Sequence, residues 1–206
     1  MAREGVAIMQ ISVSSNINKV ARQLSREAKT QIPFATASAI NNTAFSVRKA
    51  VQVQLPKYID RPTPYTVRGV RVGKAKKTLL EGSVFFIPRV AVYMWFQVEG
   101  GSRRASKKWI AVPTDNVKLN QYGNVPRSKK GLVKTQKQFI GTINGTTGVW
   151  QSGTRAQPRI KLLHKFVKQA QYKKLFPFYK IAQGVINSKF DNEFAKAFNR
   201  AMATRR

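Results

Sequence analysis

Residues 33–56, PFATASAINNTAFSVRKAVQVQLP, hold the strongest folding signal in the chain. Apolar side chains recur there at steps of three or four residues, namely Phe34, Ala37, Ile40, Ala44, Val47, Val51 and Leu55. That spacing places one apolar stripe along an α-helix. Pro33 suits a first helical turn, where its missing N–H is not needed, and Pro56 closes the pattern. We therefore predict a long amphipathic helix over this stretch.

Strands are predicted on both sides of this helix. Residues 6–13 alternate between apolar and polar side chains, which is typical of a half-buried strand, and a serine after them begins a separate helix over about 16–30. Residues 60–65, DRPTPY, contain two prolines that fix φ and remove two donors, so we predict an extended connector there. The β-branched and aromatic residues of 66–72 and 78–87 predict two further strands.

The C-terminal half combines clear and ambiguous segments. Residues 89–98 are consistent with either a strand or a short buried helix, and a short helix is predicted over about 128–139. The composition of 141–148, GTINGTTG, predicts a loop, and 159–168 predict a strand. A last helix is predicted from Pro177. Its apolar stripe consists of Phe178, Ile181, Ala182, Val185, Phe194, Phe198, Ala201 and Met202.

These elements predict an α+β fold, because helices lie toward both ends of the chain and strands lie between them. We expect a mixed or antiparallel sheet packed by a long N-terminal helix and a long C-terminal helix. No segment has the composition of a linker. We therefore predict a single domain over residues 1–206, with an irregular, basic, insertion-like region at about 101–158.

The charge of the chain restricts its function more than its size does. Lys and Arg number 38 and Asp and Glu number 8 among 206 residues, a net charge of +30, while the apolar share is 42%. So large an excess disfavours an average free-standing enzyme and indicates an anionic partner. Cysteine is absent, which excludes disulfides, thiolate zinc sites and a cysteine nucleophile. The longest apolar run, 90–96, is far shorter than the ~20 residues of a membrane span, so we expect no membrane contact.

Residues with catalytic chemistry are scarce. His164 is the one histidine and lies in a predicted strand without a nearby acid, so we expect it to be structural or exposed rather than catalytic. Asp191 and Glu193 are the only carboxylates close together, and at i, i+2 on a helix they point to different sides. No phosphate-binding or dinucleotide-binding glycine motif is present. We predict no enzyme, with no catalytic, cofactor-binding or metal-binding residue. A hydrolase acting on DNA or peptidoglycan is the less favoured alternative.

Basic residues concentrate in two stretches. Residues 101–137 hold ten Lys and Arg against Asp115 alone, and 155–180 hold eight with no acid. A surface of this kind binds phosphates by releasing condensed counterions, and its alternative is a solvated face with no particular partner. The candidates for contact with DNA or an acidic partner are Arg103, Arg104, Lys107, Lys108, Lys129, Lys130, Lys134, Lys161, Lys165, Lys173 and Lys174. The aromatic residues that could stack on bases, with the core as the alternative, are Trp95, Trp109, Trp150, Tyr122 and Tyr172.

Six segments, taken in order, resemble a known family. They are ATASAINNTAFSVRKAVQ (35–52), YIDRPTPYTVRGVRV (58–72), LLEGSVFF (79–86), YMWFQVEGGSRR (93–104), WIAVPTDNVKLNQYGNVPR (109–127) and YKKLFPFYKIAQGVINSKFDNEFAKAFNRAM (172–202). From about residue 20 to its end the chain resembles the phage minor tail protein Z family, the tail completion proteins of tailed bacteriophages. That family offers no catalytic motif to carry over.

The resemblance implies a structural virion protein in the tail or neck region, assembled in the host cytoplasm. It would complete the tail at its head-proximal end, join tail to head and help position the genome end. Its expected partners are other phage neck and tail proteins, further copies of itself in a ring (a hexamer by analogy), and genomic DNA in the channel. The main alternative is a free-standing basic nucleic-acid-binding protein of the nucleoid or ribosome type.

Overall fold

The computed structural model describes residues 10–14, 26–106, 108–126, 131–133, 135–155 and 158–203. The chain divides into two units: residues 1–99 with 174–206, here called the helical unit, and 100–173, here called the inserted unit. The sequence predicts one domain with an insertion-like region at about 101–158. The inserted unit covers that region and extends to residue 173. The α+β class is confirmed, with a long helix toward each end and antiparallel sheets between them.

The predicted long helix exists as α1 (Arg26–Tyr58). Its stripe is buried as expected except at Phe34, which is 44% exposed. The prediction of two helices separated near Pro33 was wrong, because 26–30 already belong to α1 and Pro33 lies inside it; 16–25 lie outside the described residues. Ile32 precedes Pro33 and Ala35 lies two residues after it, and both side chains are buried. Tertiary packing thus offsets the backbone hydrogen bond that proline removes.

A three-stranded antiparallel sheet lies on α1. Its strands are β1 (Gln10–Ser14), β2 (Val70–Gly73) and β3 (Glu81–Phe86), in the order β1-β3-β2. The predicted N-terminal strand is therefore confirmed over 10–13, and 1–9 lie outside the described residues. Val84 and Phe86 alternate inward along β3 and join the core. A Cβ at Gly82 would come within 2.6 Å of Ile40 on α1, so only glycine allows the strand to lie this close to the helix.

The chain between α1 and β2 contains a short helix where we predicted a connector and a strand. Helix α2 (Pro64–Arg68) begins after Thr63, whose Oγ1 accepts a 3.2 Å hydrogen bond from the backbone N–H of Thr66. Pro64 occupies the first helical position, where its missing donor costs nothing. The extended prediction fails at Pro64 because a threonine cap followed by proline starts a helix.

Two more helices lie in the described part of the helical unit. The ambiguous 89–98 segment is a helix, α3 (Pro88–Val98), and the predicted C-terminal helix is α4 (Phe178–Ala203). Buried residues along α3 recur at helical spacing: Val90, Ala91, Met94 and Val98. Small residues join α4 to α1, since Ala197 and Ala201 form one buried cluster with Ala35 and Ala39. The Asn42 amide also donates a 3.0 Å hydrogen bond to Glu193.

The helical unit is interrupted after Glu99 and resumes at Lys174, and contacts within the unit hold these two points together. Lys174 forms a 3.4 Å ion pair with Glu99, and the Gln97 carbonyl accepts hydrogen bonds from the N–H groups of Leu175 and Phe176 at 2.8 and 2.9 Å. Burial raises the pKa of Tyr179 above its ordinary value near 10, and the Glu99 carboxylate raises it further. A tyrosine, a carboxylate and an ammonium group thus meet at this point.

The regular elements described in the inserted unit are all β-strands. A two-stranded antiparallel ribbon pairs β4 (Gly101–Arg104) with β9 (Gln169–Tyr172). A four-stranded antiparallel sheet has the order β5-β8-β7-β6, made by β5 (Ile110–Pro113), β6 (Gln138–Ile143), β7 (Thr146–Gln151) and β8 (Lys161–Val167). Strand β8 confirms the strand predicted over 159–168.

Two predictions in this unit were wrong. The segment predicted as a loop, 141–148, belongs to a tight hairpin of β6 and β7. Asn144 and Gly145 form its turn with φ of 47° and 72°, the conformation that lets two residues connect twisted strands. The helix predicted over 128–139 is not formed in its described part, where 131–133 and 135–137 are irregular and β6 begins at Gln138. The Asn144–Gly145 pair is the sequence signal for a hairpin, and the prediction of a loop did not take it into account.

We expect Gly148→Ala to weaken the inserted unit selectively. A Cβ at Gly148 on β7 would collide with the carbonyl oxygen of His164 on β8, and backbone cannot move aside as a flexible side chain can. Such overpacking lowers the free energy of unfolding by about 1–3 kcal/mol. Hydrogen exchange read by mass spectrometry should accelerate in β7 and β8 and stay unchanged in α1.

The matched control is Gly141→Ala on the neighbouring strand β6. The new Cβ would meet only the Phe139 ring, at 3.3 Å, which can rotate. Equal acceleration of exchange in both variants would contradict the assigned β7–β8 contact.

We expect Glu99→Gln to lower the pH at which Tyr179 ionises. The substitution removes the carboxylate's contribution to the raised pKa and leaves the contribution of burial. Because the folded-state pKa exceeds the unfolded one, the Tyr179 proton stabilises the fold up to about pH 10 and this stability is lost above it. Alkaline ultraviolet titration checks the shift, with Tyr179→Phe identifying the signal. An unchanged ionisation in Glu99→Gln would refute the contact.

Candidate nucleic-acid interface

Positive charge is denser in the inserted unit than in the helical unit. Residues 100–173 carry sixteen Lys and Arg and one carboxylate, a net +15 on 74 residues. The rest of the chain carries twenty-two and seven, also a net +15, on 132 residues. The lone carboxylate, Asp115, is exposed and forms no ion pair with any residue that the structure describes. The inserted unit is therefore the candidate surface for an anionic partner.

The predicted contact residues fall into three groups. Four of them lie outside the described residues: Lys107, Lys129, Lys130 and Lys134. Six are exposed in the inserted unit: Arg103, Arg104, Lys108, Lys161, Lys165 and Lys173. The last, Lys174, belongs to the helical unit, where Glu99 partly neutralises it.

The structure brings Arg104 and Lys108 together in one cleft. The cleft has a volume of about 400 Å³ and is completed by Lys168, Ala105 and Gln169. Pairing of β4 with β9 creates it, because Arg104 lies opposite Gln169 and the Ala105 N–H donates a 2.9 Å hydrogen bond to the Lys168 carbonyl. Lys168 was missed by the sequence prediction, since nothing in its local sequence shows that it pairs beside β4.

The three cations of this cleft are not neutralised by any carboxylate that the structure describes. Within the described ranges, no carboxylate lies at ion-pair distance from Arg104, Lys108 or Lys168. Like charges held around one cleft repel each other, so an anion placed between them gains interaction energy with all three. The Lys108 ammonium lies 5.7 Å from the Trp109 ring centroid, a cation–π contact that restrains it. The cleft is thus suited to a phosphate group.

Strand geometry separates the other predicted residues. Arg103 lies opposite Ala170 and next to Arg104 in the ribbon, so it faces the other side from the cleft. Lys161 pairs with Gln151, and Lys165 pairs with Gly148. Gln151 and Gly148 are three residues apart on β7 and so face opposite sides of the sheet, and their partners Lys161 and Lys165 do the same. The basic residues therefore form several small surfaces around the unit.

Most predicted stacking aromatics take structural positions. Trp109 stacks on Phe166 with ring centroids 6.3 Å apart, and the Trp150 indole donates a 3.1 Å hydrogen bond to the Gly141 carbonyl. Trp95 packs against the core of the helical unit. His164 is also buried, 4% exposed, in agreement with a structural role.

The described part of the chain contains no cluster of three His, Asp or Glu side chains arranged to hold a metal ion. No helix among the described residues has the length and apolar character of a membrane span.

Comparisons with known proteins return no relative. No family model matches the sequence, and no curated protein or solved structure matches it. A function for this chain is therefore proposed from its own residues and from the sequence resemblance described above.

We expect the triple variant Arg104→Ala, Lys108→Ala, Lys168→Ala to weaken binding of duplex DNA at all sequences equally. Each phosphate contact contributes about 0.9 to the slope of log K against log salt, so the slope should fall by roughly 2–3. Fluorescence anisotropy over a salt series measures both quantities.

The matched control removes one exposed arginine and two exposed lysines from the helical unit: Arg89→Ala, Lys49→Ala, Lys189→Ala. It changes the net charge by the same amount, so a cleft-specific role requires a smaller effect from it. Equal effects would assign DNA binding to overall charge alone.

Proposed function

We propose that the chain is a structural protein of a tailed-phage particle that completes the tail at its head-proximal end, joins tail to head and helps position the genome end. One observation supports this most strongly: sixteen cations and one carboxylate occupy an inserted β-rich unit. A neck protein surrounds a channel through which DNA passes, so a densely basic unit matches the charge of that environment. The sequence resemblance to the minor tail protein Z family supports the position in the particle.

In this proposal the two units have different tasks. The inserted unit meets phosphate, and its cleft of Arg104, Lys108 and Lys168 neutralises the DNA backbone without reading bases. The helical unit meets protein, in neighbouring subunits of a ring or in adjacent neck and tail proteins. Large apolar side chains on its surface support protein contact, among them Val53, Tyr65, Leu79 and Val92, each more than half exposed.

The proposed function involves binding and no bond breaking. Phosphate contacts release counterions and are independent of sequence, as a protein that holds any genome end requires. Their strength in dilute solution falls steeply with salt. Inside a particle the DNA is confined beside the protein, so a modest intrinsic affinity is sufficient for the DNA to remain bound.

A free nucleic-acid-binding protein is the second candidate. The exposure of Arg104 and Lys108 in the single chain favours it, because these cations are accessible before any assembly forms. The two candidates differ in where the protein is found. A virion protein occurs in purified particles at a fixed copy number, whereas a free binder remains with host or unpackaged nucleic acid.

We expect purified particles of the encoding phage to contain this chain at a low, fixed copy number by quantitative mass spectrometry. A phage lacking the chain should accumulate filled heads and tails that do not join, as seen by electron microscopy. Complementation with the triple cleft variant should restore joining less well than complementation with the helical-unit control variant. Absence of the chain from infectious particles would refute the proposed function.

A further inference from the structure

The inserted unit contains a second cavity, separate from the basic cleft. It has a volume of about 490 Å³ and lies between the sheet and the segment that follows β5. Its size falls within the range of small-molecule sites, about 300–1,000 Å³. No part of the DNA-backbone binding described above uses it.

One wall of the cavity is fixed by hydrogen bonds to an irregularity in β8. Val149 pairs with His164 and Trp150 with Leu162, which leaves Leu163 as an extra residue in β8. The Leu162 carbonyl accepts hydrogen bonds from Thr114 Oγ1 at 2.6 Å and from Asn116 Nδ2 at 3.0 Å. The segment after β5 is thereby anchored to the sheet at its start.

The segment after β5 also contains a turn, residues 120–124, that is held by hydrogen bonds within it. The Asn120 side chain oxygen accepts hydrogen bonds from the backbone N–H groups of Tyr122 and Asn124, both at 3.0 Å. The backbone of Asn120 adds a 2.9 Å hydrogen bond to the Asn124 carbonyl. Residues 117–120, which line the cavity, thus lead into a turn held by hydrogen bonds. Because this part of the wall is already ordered, less conformational entropy is lost when a ligand binds.

The lining combines carboxamides, one imidazole and aliphatic side chains. Gln138 and Gln151 are direct cross-strand partners, so their side chains stand side by side on one face of the sheet, and His164 lines the same cavity. Lys118 is its one charged residue among those described, and no carboxylate is included. Leu119, Leu132 and Leu163 supply apolar surface.

We propose that this cavity binds a nucleotide, with the base against Gln138 and Gln151 and the phosphate toward Lys118. Carboxamides present a donor and an acceptor together, which matches the paired donors and acceptors on a base edge. Leucine side chains accept the apolar faces of the ring. Because Lys118 is the charged residue of the described lining and no carboxylate is present, the cavity favours a ligand with an anionic group such as a phosphate over a cationic ligand. The inference depends on the inserted unit alone and does not require the virion role.

The nucleotide has two sources, a free mononucleotide or an unpaired nucleotide at the end of a DNA duplex. Isothermal titration of the full chain with the four deoxynucleoside monophosphates, and with deoxyribose 5-phosphate as the probe without a base, tests the shared chemistry. We expect at least one deoxynucleotide to bind tenfold or more tightly than the sugar phosphate. Equal affinities would overturn the proposal, because only the phosphate would then be recognised.

Gln151→Leu tests the position of the site with nearly constant side-chain volume. We expect it to lower nucleotide affinity at least tenfold and to leave duplex binding by the basic cleft unchanged. Gln171→Leu, which replaces an exposed glutamine of β9 that lines neither the cavity nor the basic cleft, is the matched control and should leave nucleotide affinity unchanged. Circular dichroism confirms that both variants fold. A Gln151→Leu variant that folds and binds nucleotide normally would overturn the proposal.

A competition experiment distinguishes the two sources. A duplex with a single-stranded overhang should displace a fluorescent nucleotide at lower concentration than a blunt-ended duplex of the same length, in which every nucleotide is paired. Equal displacement by both DNAs would show that unpaired ends are not held here and would leave the free nucleotide as the ligand. Neither result depends on whether the chain occurs in particles, so this proposal and the proposed function can fail separately.

Discussion

The helical unit depends on one buried stripe along α1. Residues from Ala37 to Leu55 on that stripe are almost completely removed from water, and the sheet and α4 pack on the helix. The approach is close: Gly82 lies against Ile40 with no space for a side chain, and Asn41 fixes the backbone of Ala75 by donating to its carbonyl at 3.1 Å and accepting from its N–H at 2.7 Å. Any change in the path of α1 would therefore disturb the sheet and α4 together.

The sequence predicted the elements that repeat a signal many times. Over α1 the apolar period recurs for more than five turns, so an exposed Phe34 or an internal Pro33 does not obscure it. Short segments lack this redundancy. Helix α2 is decided by a single cap at Thr63, and the β6–β7 hairpin by two residues at 144–145. Composition alone favours a loop in such places, and the exact turn chemistry decides the outcome.

For the candidate sites, composition identified the kind of residue and long-range pairing decided which residues meet. The basic runs were visible in the sequence, but the meeting of Arg104 with Lys168 depends on the β4–β9 ribbon. Lys161 and Lys165 looked equivalent and were placed on opposite faces by the register of β8. Gln138 and Gln151 carried no signal at all, because a glutamine becomes informative only when its cross-strand partner is known.

The adjacency of Glu99 and Lys174 has a consequence for how the chain folds. The Asn42–Glu193 hydrogen bond spans 151 residues, and chain entropy opposes closing so long a loop. That opposition grows only with the logarithm of loop length, by about 0.6 kcal/mol for each doubling. Early pairing of β4 with β9 would take about half of those 151 residues out of the loop to be closed. The helices thus accommodate a basic unit of 74 residues between Glu99 and Lys174 at little cost in chain entropy.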